Sequence, residues 1–136
     1  MTFVEGDSLV RVRKLVNQEQ INQYALVSGD HNPIHLDSKF AVSSTFGRIV
    51  AHGMLVLAFV SEMLSQTFGT YWVEAGYLKI RFKAPVYPGD NLETYGSVTR
   101  IVAESGIRKV RCSIGCRKTD GSDVIVGEAV VSVDDN

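Results

Sequence analysis

The chain has 136 residues, enough for one domain built around a single core. It is 45% hydrophobic and 21% charged, with a formal net charge of -1 and no basic block, which argues against a nucleic-acid binder. Its longest apolar run, Met54 to Val60, is far short of the roughly 20 residues that span a bilayer, and Met1 to Asp7 has neither a signal nor a transit pattern, so a cytoplasmic protein with no membrane contact is expected.

In chain order, Leu9 to Val16 is predicted as the first strand. A helix follows, capped by Asn17 with Gln20 at the capping-box position and ended at Ser28-Gly29, since glycine readily takes the left-handed C-terminal conformation. Asp30 to Ala51 has no regular period beyond a short helix over Asp37 to Val42, and so long a connection inside a compact domain points to function. Gly53 to Phe68 reads as a second helix, apolar on nearly every face and therefore expected to be surrounded by protein. Tyr71 to Lys83 is predicted as a strand with Leu78, Ile80 and Phe82 on one face and Lys79, Arg81 and Lys83 on the other.

Pro85 to Asp90 is rich in turn residues. Strands are predicted over Asn91 to Val102, Ile107 to Lys118 and Val124 to Val133, the last two joined by a hairpin at Asp120-Gly121. Cys112 and Cys116 lie on one face of a strand, where their Cα atoms would be about 13 Å apart, too far for a disulfide. Free thiols in a reducing compartment are expected. The pattern of long antiparallel strands and one greasy helix fits a single α+β domain over 1–136, a sheet curled around a central helix in the hot-dog manner. A flat sheet covered by two helices fits almost as well.

The chemically informative segment is Tyr24-Ala-Leu-Val-Ser-Gly-Asp-His-Asn-Pro-Ile-His35. Pro33 disfavours a continuous helix between Asp30 and His35, and a bend there can bring carboxylate and imidazole together. Such a pair can hold one water and shuttle its proton. Spacing alone leaves equal room for Asp30 as a cap and His35 as a surface residue.

The same segment resembles the hydratase 2 motif of MaoC-like dehydratases and (R)-specific enoyl-CoA hydratases, matching at Tyr24, Gly29, Asp30, Asn32, Pro33, Ile34 and His35. Ile49 to Met54 resembles that family's turn into its central helix, and Phe82 to Val86 with Gly89-Asp90 its strand-and-turn region. The resemblance implies that Asp30 and His35 are a catalytic dyad for syn addition of water to a trans-2-enoyl thioester, yielding an (R)-3-hydroxyacyl thioester. It implies that Gly53 offers its backbone N–H to the thioester carbonyl and that Asn32 orients the dyad or the substrate. Ser61 would hydrogen-bond Asp30, and Met54 joins the expected substrate-binding residues. The carrier would be coenzyme A or acyl carrier protein, the assembly a homodimer, and no cofactor or metal is called for.

Independently of that resemblance, hydration builds negative charge on the thioester oxygen, and a helix N-terminus such as that expected at Gly53 supplies free N–H groups and a favourable dipole. His52 reads as structural, His31 as solvent-facing, and Lys79, Arg81 and Lys83 as a solvated strand face. Two other readings share the fold: a hot-dog thioesterase, and a substrate-holding subunit of a larger dehydratase. The Asp-x-Asn-Pro-x-His pattern argues against the first and an intact Asp30/His35 pair against the second.

Overall fold

The computed structural model describes residues 2–135. Five strands form one antiparallel sheet in the order β1-β3-β4-β5-β2. They are β1 (Arg13–Leu15), β2 (Gly76–Phe82), β3 (Asn91–Glu104), β4 (Ile107–Lys118) and β5 (Asp123–Asp134). Between β1 and β2 run α1 (Gln18–Ser28), α2 (Pro33–Leu36), α3 (Ser38–Val42), α4 (Gly53–Phe68) and α5 (Thr70–Ala75). This is the α+β hot-dog arrangement, with α4 packed against β3 and β4.

Alternation makes the inner face of the sheet. Val110, Cys112, Ile114 and Cys116 on β4 are buried, as are Ile125, Ala129, Val131 and Val133 on β5. They meet Leu55, Val56, Phe59, Val60, Met63, Leu64 and Phe68 of α4. Both cysteines are free, and burial pushes their thiols up to about 11 at Cys112 and about 12 at Cys116, so neither ionises near neutrality. The Asp120-Gly121 hairpin forms as expected, with Gly121 at φ 90° and Asp120 Oδ1 accepting from Ser122 N–H at 2.8 Å.

Three expectations need correction. The first strand is shortened to Arg13–Leu15, although the chain from Ser8 onward already lies along β3. Two threonine hydroxyls interrupt the ladder: Thr67 Oγ1 accepts from Val10 N–H at 3.0 Å and Thr94 Oγ1 from Val12 N–H at 2.9 Å. In the region expected as a strand from Tyr71, Thr70–Ala75 is helical and the strand begins at Gly76. A Cβ at Gly76 would overlap the Trp72 ring and carbonyl, so only glycine admits this abrupt exit from α5. Finally, α4 is covered by the sheet and by α5 but not on every face. Met54 is 57% exposed and Ala58 is also exposed, because one sheet shields one side of a helix.

Candidate active site

The segment from Gly29 to Gly53 is held by side chains capping backbone rather than by a ladder. Asn17 caps α1 by accepting from Gln20 N–H at 2.8 Å, and Gly29 closes the helix at φ 78° with its N–H on Ala25. Asp30 follows at once. Its Oδ1 accepts from Asn32 N–H at 3.2 Å, which turns Oδ2 toward His35. Asn32 then caps α2, accepting from Ile34 N–H at 3.0 Å, with Pro33 at the first helical position where its missing N–H costs nothing. This one-turn helix was not anticipated, although Asn-Pro is its sequence signal. It brings His35 back toward Asp30.

His35 is fixed on several sides. Its Nδ1 lies 2.7 Å from Val50 O, and its own carbonyl accepts from Gln18 Nε2 at 2.9 Å. A carbonyl only accepts, so Nδ1 carries a proton, and the neutral tautomer with that proton has a bare Nε2. That Nε2 lies 3.9 Å from Asp30 Oδ2, too far for a direct hydrogen bond. The two side chains differ in exposure, 12% for His35 against 52% for Asp30. Val50 also donates its N–H to Ile34 O, so a single residue anchors α2 through both backbone groups. No side-chain pattern in the sequence marks such a role for a backbone carbonyl.

His52 packs behind this pair. It is buried at 2% exposure, and its ring stacks on His35 with centroids 3.8 Å apart. Its Nε2 lies 3.0 Å from Asp30 O, and burial, the dominant influence, lowers its pKa. Asp30, His35 and His52 each bring a potential metal-ligand atom within 4.8 Å of the others. With His52 Nε2 already on a carbonyl and its Nδ1 buried, this is a poor donor set for an ion.

Gly53 opens α4 and is exposed; its N–H meets no backbone acceptor among the described residues. It borders a 330 Å³ cleft lined by Phe46, Val50, Ala51, Phe82 and Val86. A Cβ there would stand 3.1 Å from the Phe82 ring, so glycine keeps this approach open. Met54 is beside it on the same exposed turn. The expected bond from Ser61 to Asp30 is not made: Ser61 Oγ instead accepts from Trp72 Nε1 at 3.0 Å, because the unforeseen α5 folds its indole back onto α4. Asn32 touches the pair in two ways: its side chain caps the helix that carries His35, and its backbone N–H donates to Asp30 Oδ1. His31, Lys79, Arg81 and Lys83 are solvent-exposed, and Lys83 also borders the cleft.

The family model for the MaoC like domain matches residues 3–119. An (R)-specific enoyl-CoA hydratase from Aeromonas caviae is 32% identical over 131 residues, covering 96% of this chain and 96% of the relative. One from Rhodospirillum rubrum is 33% identical over 134 residues, covering 95% of this chain and 87% of the relative. A solved (R)-hydratase from A. caviae superposes with a TM-score of 0.81 at 28% identity over 96% of each chain.

Proposed function

Because this chain belongs to the MaoC-like domain family, we propose that it is a hydro-lyase acting on acyl thioesters, hydrating a trans-2-enoyl thioester to the (R)-3-hydroxyacyl thioester and catalysing the reverse dehydration. The observation that carries the mechanism is the 3.9 Å separation of Asp30 Oδ2 and His35 Nε2, two acceptors at a distance that one water can bridge from the side. A water about 2.8 Å from each would see them at an angle of about 90°, near its own H–O–H angle. It would donate one proton to each and direct an oxygen lone pair at the substrate.

As that oxygen bonds to Cβ, one O–H bond breaks and its proton passes to the pair. Charge moves onto the thioester oxygen, where the Gly53 N–H at the start of α4 stabilises it. The pair then returns a proton to Cα and is restored. The fixed Nδ1–H on Val50 keeps Nε2 available as the proton acceptor at each turnover. The apolar cleft beside Gly53 receives the acyl chain, and the carrier is coenzyme A or acyl carrier protein.

The chain acts as one domain over 1–136 and pairs as a homodimer. The seven-residue edge strand β2 and the open face of α4 with Met54 and Ala58 both call for cover.

The test is incubation of the purified chain with crotonyl-CoA and longer enoyl-CoAs, followed by chiral analysis. Loss of enoyl absorbance with an (R)-3-hydroxy product is expected. Release of free thiol with the enoyl group intact would make it a thioesterase. An (S) product would overturn the stereochemical assignment.

A further inference from the structure

His52 is a buried titratable group beside the pair that this mechanism does not use. It is the N-cap of α4, yet its side chain makes no capping bond. Instead, its ring lies between Tyr24, at a centroid distance of 4.8 Å, and His35, at 3.8 Å and only 25° from parallel. The Asp30 carbonyl it meets can only accept, so His52 Nε2 carries a proton. Its Nδ1 is buried and has no partner among the described residues.

A core residue selected for packing alone would not bury an unpaired acceptor. What the ring gains in this position is simultaneous contact with both members of the pair. Asp30 sits in the loop between α1 and α2 with a half-exposed carboxylate, and among the described residues the only hydrogen bond its carbonyl receives is from His52. His35 is held at its edge by Val50 and on its face by His52.

We propose that His52 is a positioning residue: its Nε2–H on the Asp30 carbonyl and its ring face on His35 set the carboxylate–imidazole separation at which one water bridges. The inference rests on Asp30 and His35 being the reacting pair. It requires His52 to remain neutral, since a second proton on the ring would be an orphaned buried donor stacked on His35. The charged or titratable groups that face it are Asp30, His35 and the exposed His31, with the Tyr24 ring on its other side.

The experiment compares His52→Phe, which keeps a flat ring but loses the donor, with His52→Gln, which keeps a donor near the Nε2 position but loses the ring. We expect kcat for crotonyl-CoA to fall about 10-fold or more in His52→Phe, as for a small misplacement of reacting groups, and by less in His52→Gln, with KM changing little in either. Removing the orphaned acceptor should leave the melting temperature of His52→Phe undiminished. Wild-type kcat in folded His52→Phe overturns the proposal, and so does a loss carried entirely by melting temperature or KM. If His52→Phe does not fold, unchanged kcat in His52→Gln also overturns it.

Wild-type protein provides a third reading. Nitrogen-15 spectra near pH 7 should show His52 neutral with its proton on Nε2; a proton on Nδ1 contradicts the geometry. Parallel Asp30→Asn and His35→Gln variants separate the two failures. If they retain turnover, the dyad itself is wrong. If they lose it while His52→Phe does not, only the positioning role falls.

Discussion

The sheet and the Gly29–Gly53 segment are held by different means. In β3, β4 and β5, strands of 14, 12 and 12 residues are tied by continuous ladders and bury one face against α4. The site segment has no ladder. Asp30, Asn32 and Asp37 each turn a side-chain oxygen onto a backbone N–H, and His35 and His52 each donate a ring N–H to a carbonyl. Redundancy makes the sheet tolerant of any single loss, whereas each bond in the segment fixes one particular atom. Mutations in the first region should therefore be read in stability, and mutations in the second in turnover.

The sharpest way to break that contrast is at Gly53. Its φ is not among the positive ones, and proline is accepted at a first helical position, so Gly53→Pro should remove the N–H while the fold survives. The ring would press on Phe82, which is half exposed. Turnover should fall by about 10²–10³-fold with much less change in substrate binding, since charge on the oxygen is greater in the transition state. Full turnover in the folded variant would reduce Gly53 to a turn residue.

Ile114→Ala is the counterpart in the sheet. Ile114 is 1% exposed on β4, and truncation should cost about 2–5 kcal/mol in denaturant unfolding. The kcat per folded molecule should be unchanged; a marked fall would mean that the sheet's packing also governs the site. Asn32→Ala should do the reverse. Loss of one cap costs about 1 kcal/mol, but it loosens α2 and so should lower turnover severalfold through misplacement of His35. Unchanged turnover would show that the Val50 contacts suffice.

Acid should also distinguish the regions. Burial lowers the His52 pKa below its usual 6.5, so the folded chain binds fewer protons than the unfolded one just below that pH. Its contribution to stability is full above about 6.5 and declines as pH falls from there toward the lowered folded value. On β3, the hydrogen bond from Arg13 of β1, supported by one from Arg117 of β4, lowers Glu93 below its usual 4.5. That contribution is present above about 4.5 and is lost as pH falls through the folded value. Melting temperature followed from pH 7 to pH 3 should show two steps, with the first absent in His52→Phe. Its persistence in that variant would assign it elsewhere.

Much of this was legible in the sequence, for identifiable reasons. Asn17 and Gly29 announce the ends of α1, and the Val110-to-Cys116 alternation announces an inward face. The Gly-Asp-x-Asn-Pro-x-His spacing marked Asp30 and His35 as a pair worth testing. What escaped notice depends on contacts distant in sequence. Thr67 and Thr94 cut short the first strand from 57 and 82 residues away. Trp72 draws α5 onto Ser61, taking the hydroxyl expected at Asp30. The Val50 carbonyl and the stacking of His52 have no signature, because either residue in another fold would simply be buried.

The most direct test of the central claim, that Asp30 and His35 act together on one water, is the turnover of Asp30→Asn, His35→Gln and the double variant with crotonyl-CoA. Each single change should cost at least about 10²-fold with an unchanged far-UV spectrum. The double variant should lose little more than the worse single, because parts of one unit are not additive. Near-normal turnover in either single variant, or losses that multiply in the double, would contradict a shared water between Asp30 and His35.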